Sequence, residues 1–359
     1  MARFVMAGGG SGGHVFPGLA VARELKRRGH EVLFIGTERG MEAKLVPAAG
    51  FELVRIDIGG LARVGWKQTL KTLMQLPLTT ARCGGLIGRR RVAAVFSMGG
   101  YVAGPPVMAA LVRRVPVVVM EPNAVPGFTN RVIGRFVHRA LISFEETAAY
   151  FAAGRTELTG LPVREEFFRI TPQPRGDVLN ILVTGGSQGS RTLNNAGRQS
   201  WPLFRAAETR VRIVHQSGPG GYEALRDAFA AAGLEGEIVP FIADMPAAFA
   251  QADVVVCRSG AGAVSELAAA GKPSVLVPFP FAADDHQTRN AQALERAGAA
   301  RLVPDADLTG ESLFRVLVEL AGESGRLQRM GEAARRFGRP GAARRAAEIL
   351  EAAAGYDFH

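Results

Sequence analysis

Twice in this chain a short apolar segment runs into a glycine-serine loop that opens a helix: Arg3-Phe-Val-Met-Ala-Gly8-Gly9-Gly10-Ser11-Gly12-Gly13-His14, and Asn180-Ile-Leu-Val-Thr-Gly185-Gly186-Ser187-Gln188-Gly189-Ser190. A strand that ends in glycines before a helix brings bare backbone N–H groups and the positive end of the helix dipole to one point, which suits a phosphate or diphosphate. Two such points imply two anionic ligands, or one ligand gripped between two domains. At 359 residues the chain exceeds what one core usually organises. The second opening puts the start of a second domain near Asn180.

Strand and helix patterns alternate throughout, which is the signature of parallel sheets flanked by helices. In the first half, strands are expected near Phe4–Ala7, Val32–Ile35, Leu53–Ile56, Ala94–Phe96, Val117–Met120, Ala140–Ile142 and Glu157–Thr159. Pro17 is expected to begin the first helix, which stops at Gly29. The second half repeats the plan, with strands near Leu179–Val183, Arg212–His215, Ile238–Val239, Val254–Cys257, Ser274–Val277 and Ala300–Val303. Helices near Tyr222–Ala231, Ala261–Ala270 and Gln287–Ala297 separate them. Gly160-Leu-Pro162-Val-Arg164-Glu-Glu reads as a linker. The expected fold class is α/β, with domains over 1–161 and 162–337 and a last helix, about 338–359, that packs back on the first. Ligands bind at the carboxyl ends of strands in such sheets, so both glycine loops are expected at a cleft.

Bulk properties narrow the function. The chain is 47% hydrophobic and 21% charged, as globular proteins are. The first residues break into glycines before reaching signal-peptide length, and the apolar stretch from Val92 to Met120 is interrupted by glycines, prolines and Arg113-Arg114. Neither a signal peptide nor a transmembrane helix is expected, and the cytoplasm is the natural compartment. Cys83 and Cys257 lack partners at ligand spacing, so neither a disulfide framework nor a zinc site is expected. A net charge of +10 points to anionic partners or, more blandly, to heavy arginine use. Between Gly60 and Arg91, cations alternate with Trp66, Leu70, Leu73 and Met74 at helical spacing. That pattern suits either a basic helix lying on an anionic membrane surface or an ordinary helix packed on the sheet.

Gly8, Gly10 and Gly13 have the spacing of a dinucleotide loop, but the second strand ends Ile35-Gly36-Thr37 with only Glu38 as a loose candidate for holding a ribose. His14 sits where a base or hydrogen-bond donor would meet a ligand on that loop, or where a histidine caps a helix. Glu121, at the end of its strand beside Asn123, suits either deprotonation of a hydroxyl or the dipole of a following helix. In Cys257-Arg258-Ser-Gly-Ala261-Gly262-Ala-Val-Ser-Glu266, small residues admit a diphosphate to the helix start, Arg258 bears on its charge, and Glu266 accepts both hydroxyls of a ribose. Asp284-Asp285-His286 resembles metal ligands, but adjacent residues on a turn rarely converge on one ion, so no metal is expected. Gln287 and Asn290 share a helix face and suit sugar hydroxyls.

Taken in order, Gly-Gly-His14-Val-Phe-Pro17-Gly, Met98-Gly-Gly-Tyr101, Glu121-Pro-Asn123, Pro162-Val-Arg164, Gly185-Gly-Ser187-Gln188-Gly, His215-Gln-Ser-Gly, Phe241-Ile242-Ala-Asp-Met, Cys257-Arg258-Ser-Gly, Ser265-Glu266-Leu-Ala-Ala-Ala-Gly and Asp285-His-Gln287-Thr-Arg-Asn290-Ala resemble the MurG glycosyltransferases over essentially the whole chain. The resemblance implies the GT-B fold, two Rossmann-like parallel-sheet domains facing across a cleft, with the acceptor on the first and UDP-GlcNAc on the second. It implies transfer of N-acetylglucosamine from UDP-GlcNAc to lipid I, the undecaprenyl-diphosphate-linked muramoyl-pentapeptide, to form lipid II for peptidoglycan. The enzyme would act peripherally at the cytoplasmic face of the cell membrane and require no cofactor. By matching position, Ser187 and the helix start at Ala261-Gly262 would hold the donor diphosphate, with Gln188 nearby. Phe241 and the Ile242 backbone would take uracil, Glu266 the ribose, and Gln287 with Asn123 the GlcNAc hydroxyls. Arg164, Arg258, Ser11, Gly12 and Gly13 would also belong to donor binding, while Gly10, His14 and Tyr101 would meet the acceptor. The chain departs from the family's pattern at Pro122, Leu161 and His286.

The implied chemistry is a single in-line displacement with inversion, with His14 or Glu121 as the base. Competing readings are a transferase of the same fold acting on a soluble acceptor, a noncatalytic nucleotide-sugar-binding subunit, and an NAD-dependent oxidoreductase. Nucleic acid is not expected as a partner, because the charge lacks the aromatic interleaving of single-strand binders.

Overall fold

The structure, a computed structural model, describes residues 1–10, 12–59, 66–172 and 176–356, with the side chains of residues 66–71 and 73 outside the description. Ser11 and the segment 60–65, both singled out by the sequence, lie outside the described residues. The chain divides into two compact units, Met1–Val163 with Gly341–His359, and Arg164–Pro340.

In the first unit, seven strands form one sheet: β1 (Arg3–Ala7), β2 (Glu31–Gly36), β3 (Glu52–Arg55), β4 (Ala94–Ser97), β5 (Val117–Glu121), β6 (Arg139–Ile142) and β7 (Thr156–Leu158). Their spatial order is β3-β2-β1-β4-β5-β6-β7, and every pairing is parallel. Central strands of a sheet covered on both faces read as unbroken apolar runs. β5, Val-Val-Val-Met-Glu, is such a run and is buried at every position. Each of its valines and its methionine contributes roughly 1.5–3 kcal/mol of burial. The crossover helices are α1 (Gly12–Arg27), α2 (Glu42–Ala48), α3 (Trp66–Arg89), α4 (Gly104–Val112) and α5 (Phe128–Ile133).

The first helix departs from the expectation. It starts at Gly12, so Pro17 lies in its second turn rather than at its head. There the proline withholds the N–H that would reach the Gly13 carbonyl. The helix thus opens among the glycines that follow β1.

The second unit holds β8 (Leu179–Thr184), β9 (Val211–Gln216), β10 (Glu235–Val239), β11 (Val254–Cys257), β12 (Ser274–Leu276) and β13 (Ala300–Leu302) in the order β10-β9-β8-β11-β12-β13, again wholly parallel. Its helices are α6 (Glu165–Phe168), α7 (Arg191–Ala206), α8 (Tyr222–Ala232), α9 (Met245–Gln251), α10 (Ala261–Ala270), α11 (His286–Arg296), α12 (Gly310–Gly322) and α13 (Arg326–Arg335). The last helix, α14 (Ala342–Ala353), belongs to the first unit and packs along α1. Glu351 fixes it there, accepting from Arg28 at 2.9 Å and from His30 Nε2 at 2.8 Å. Among the described residues no helix is long and apolar enough to cross a membrane.

Both sheets reverse strand order at one place, between β1 and β4 and between β8 and β11. Outside the carboxyl ends of the strands at such a switch point, adjacent loops diverge and leave a crevice for ligand. Each glycine loop of the sequence sits at its unit's switch point.

Candidate active site

At the switch point of the first unit, the loop after β1 lies against the loop after β4. A side chain at Gly8 would place its Cβ 2.9 Å from the Cβ of Met98. Tyr101, half-exposed, brings its ring edge to Gly10, and Gly100 faces the His14 ring. His14 is the third residue of α1, and its Nδ1 lies 3.2 Å from the Gly9 carbonyl oxygen. A carbonyl only accepts, so Nδ1 carries the proton and Nε2 is the ring's acceptor nitrogen.

Glu121 stands at the end of β5 and is buried. Its Oε1 accepts from the Asn123 backbone N–H at 3.0 Å and from the Asn123 amide at 3.1 Å. Its Oε2 accepts from Asn130 Nδ2 at 3.0 Å and from the Gly127 N–H at 3.1 Å. Burial pushes its pKa up against those donors. Four bonds on one carboxylate describe a group that shapes the β5–α5 loop. They also take one hydrogen of the Asn123 amide.

In the second unit, the loop after β8 is locked to the loop after β9. A Cβ at Gly189, whose φ is +72°, would fall on the Ser217 carbonyl. The buried Gln216 donates to the Gly186 carbonyl at 2.7 Å and accepts from the Ile242 N–H at 2.9 Å. One amide thus ties the phosphate-type loop to the segment bearing Phe241, which is exposed, and Ile242. Gln216 did not stand out in the sequence, where it was only one letter of a motif. Ser187 and Gln188 stand exposed at the loop's tip.

Arg258, expected to bear on the donor's charge, is engaged within the protein. It donates to Asp305 at 2.5 Å, to Ser190 Oγ at 2.7 Å and to the carbonyls of Val277 and Pro278. Its charge is balanced by Asp305, and it acts as the wall of a cavity of about 530 Å³ that Gln188, Ser190, Phe279 and Gln287 also line. Gln287 accepts from the Phe279 N–H at 2.9 Å.

Helix α10 starts at Ala261 with Gly260 as its cap and no side-chain cap, so its first amides are presented outward. Gly262 and Glu266 are four residues apart and share a face about one turn apart along the axis. Burial pushes the Glu266 pKa up to about 7, with Arg164 pulling the other way.

Asn290, which shares a helix face with Gln287, is fully buried and donates to the Ser259 carbonyl at 3.1 Å, so it braces the α10 approach. Asp284 and Asp285 occupy left-handed backbone, with Asp285 accepting from Thr288 at 2.6 Å and His286 Nδ1 donating to the Ala283 carbonyl. The run is a turn that launches α11. Among the described residues no group of three or more His, Cys, Asp or Glu side chains is arranged to hold a metal.

Two doubly wound units, one of them with an uncapped helix start at its switch point and a carboxylate a turn further along, have the architecture of GT-B nucleotide-sugar enzymes. The sequence profile of the glycosyltransferase family 28 N-terminal domain matches residues 4–142, and that of the family 28 C-terminal domain matches residues 180–346. The UDP-N-acetylglucosamine–N-acetylmuramyl-(pentapeptide) pyrophosphoryl-undecaprenol N-acetylglucosamine transferase of Solibacter usitatus is 72% identical over 98% of this chain and 96% of its own. The transferase of the same name from Syntrophus aciditrophicus is 42% identical over 87% of each chain. The crystal structure of Acinetobacter baumannii MurG, 33% identical, superimposes with a TM-score of 0.83 over 98% of this chain and all of that one. The chain belongs to the MurG family of glycosyltransferases.

Proposed function

We propose that this chain transfers N-acetylglucosamine from UDP-GlcNAc to the 4-hydroxyl of the muramoyl sugar of lipid I, forming lipid II with inversion, and that the two switch points divide the labour. The observation that carries the division is the unequal furnishing of the two helix starts. α10 has uncapped amides with Glu266 a turn beyond, which suits a diphosphate joined to a ribose. α1 has a histidine whose acceptor nitrogen is fixed by its tautomer.

On the donor side, the α10 amides and Ser187 meet the diphosphate, with Gln188 and the Arg258 wall beside it. Glu266 accepts from the ribose hydroxyls, the Ile242 carbonyl accepts from uracil N3–H, and Phe241 covers the base. Gln287 and Asn123 meet the GlcNAc hydroxyls, and Arg164 steadies Glu266. Gly12 and Gly13 lie toward the donor, and on the acceptor side Gly10 and Tyr101 border the acceptor. His14 Nε2 takes the proton of the 4-hydroxyl as that oxygen bonds to the anomeric carbon. The bond from that carbon to the UDP oxygen breaks, and UDP leaves with the electron pair, its growing charge met by the α10 amides. His14 is preferred to Glu121 as the base because both Glu121 oxygens are already saturated with donors.

The test is incubation of the full chain with radiolabelled UDP-GlcNAc and a lipid I analogue, with and without chelator. A lipid-linked disaccharide is expected in both, and its absence in both refutes the reading. His14→Gln is expected to lower kcat by roughly 10²–10⁴-fold, the range of general-base catalysis. Turnover surviving in His14→Gln but abolished in a folded Glu121→Gln would reverse the assignment.

Peripheral binding to an anionic membrane surface accords with the first unit, where exposed Met74 and Leu78 on α3 and exposed Met108 and Val112 on α4 precede Arg113 and Arg114. Apolar side chains among cations suit an acidic headgroup layer. Flotation with vesicles containing acidic phospholipid is expected, falling with salt, whereas equal flotation with neutral vesicles would refute the electrostatic part.

A further inference from the structure

Glu42 opens α2 and is fully buried, although its place in Gly40-Met41-Glu42-Ala43-Lys44 reads as an ordinary helix surface. Its Oε1 accepts from the Thr37 N–H at 2.9 Å and the Thr37 hydroxyl at 2.7 Å, and its Oε2 accepts from the Gly10 N–H at 2.8 Å. The space it occupies is made by absent side chains. A Cβ at Gly9 or Gly40 would run into its carboxylate, and one at Gly36 would lie 2.6 Å from its Cγ. None of these three glycines has the left-handed φ that would otherwise explain it. Three glycines from three segments around one buried carboxylate form a built site for that group.

The Gly10 N–H and the Gly9 carbonyl are opposite ends of one peptide unit. Glu42 accepts at the nitrogen end, and His14 Nδ1 donates at the oxygen end. A peptide held by a carboxylate at its N–H has a more negative carbonyl, because successive hydrogen bonds polarise one another. We propose that Glu42 is the positioning residue for His14, acting through the Gly9–Gly10 peptide to fix the Nδ1–H tautomer, aim the ring and raise the basicity of Nε2. The arrangement parallels a carboxylate that orients a histidine directly, with a peptide group interposed. Burial works against the carboxylate's charge, yet the Thr37 and Gly10 donors more than offset it and hold Glu42 below the usual carboxylate range. It therefore stays ionised across the working range. Tyr101 also borders the loop, at Gly10.

The inference rests on the reading of His14 as the group that meets the acceptor, and two measurements separate them. The first is ¹⁵N NMR of the histidine-labelled full chain, with the His14 signal assigned by its loss in His14→Gln. The wild-type ring is expected as the Nδ1–H tautomer, and an Nε2–H tautomer overturns the proposal without any further variant. In Glu42→Gln the imidazolium loses a nearby negative charge, so the His14 titration moves to lower pH. The second is kinetics. Glu42→Gln is expected to lower kcat roughly 10- to 100-fold, as outer partners of a functional histidine do, with KM for UDP-GlcNAc within about twofold of wild type. The acid limb of the pH–rate profile should move down with the pKa. Thr37→Val, which removes a Glu42 contact but no charge, is expected to lower the melting temperature while leaving the His14 titration in place. A Glu42→Gln protein whose His14 titrates as in wild type overturns the proposal. Loss of coupling to turnover alone, with His14→Gln still active, would instead overturn the role given to His14.

Discussion

If Glu266, whose pKa burial raises to about 7, takes the donor's ribose as proposed, donor binding becomes a titration. Glu266 accepts ribose hydroxyls well only when ionised, because a protonated carboxyl competes as a donor. Its pKa is raised in the ligand-free protein, so the competent form is the one above pH 7. At pH 6 about a tenth of the molecules carry the charge, and at pH 8 about nine tenths. Apparent affinity scales with the competent fraction, so Kd for UDP-GlcNAc should weaken about tenfold between pH 8 and pH 6. The diphosphate of UDP-GlcNAc is esterified at both ends and does not titrate in that range, whereas the terminal phosphate of UDP would confuse the measurement.

Calorimetry at pH 7 in two buffers of different ionisation heat should show about half a proton released per UDP-GlcNAc bound. Glu266→Gln should bind about 10- to 100-fold more weakly at pH 8, the worth of a charged hydrogen bond, with no slope against pH. Arg164→Gln removes the charge that opposes burial, so the Glu266 pKa rises further and the binding curve moves to higher pH. A Kd constant between pH 6 and pH 8, with no proton exchanged, would refute the assignment of Glu266 to the ribose.

Two other substitutions probe the cavity that Gly189 and Arg258 line. Gly189→Ala combines left-handed strain with overlap onto the Ser217 carbonyl and should cost about 2–5 kcal/mol, read as a lower urea midpoint; an unchanged midpoint would mean the two loops are not locked. Arg258→Lys keeps a charge but cannot span Asp305, Ser190 and two carbonyls at once. If Arg258 is a wall, KM for UDP-GlcNAc rises with kcat near wild type, and a selective fall in kcat would show that it stabilises the leaving group instead.

Every expected strand has a counterpart, because fully covered parallel strands are short apolar runs bounded by glycine and polar residues, and β5 and β11 are plain examples. Where the sequence misled, the deciding feature lay outside the residue's own propensity. Pro17 signals a helix start by local propensity, yet the glycine loop had already committed the chain to helix at Gly12. Asn290 has the spacing of a sugar ligand and the environment of a buried strut. Arg258 carries the right charge, but Asp305, 47 residues away, already balances it.

The same logic explains the acid missing from the dinucleotide reading of the first loop. That reading asks for a carboxylate at the end of β2, where Glu38 lies exposed near Arg55. A carboxylate is indeed delivered there, a few residues later, but Glu42 turns inward and grips the loop's own peptide rather than a ribose. Gly9, Gly36 and Gly40 therefore do work that spacing rules assign to turns and phosphates: they empty a space for a charge. Alongside the dinucleotide-like spacing of Gly8, Gly10 and Gly13, a separate set of glycines admits one of the protein's own anions beneath the loop. An internal carboxylate beneath the Gly9–Gly10 peptide makes the loop a less favourable place for a second negative ligand at that peptide, and a more favourable one for holding a histidine in a single protonation geometry. His14 is thus the residue that the loop is built to present.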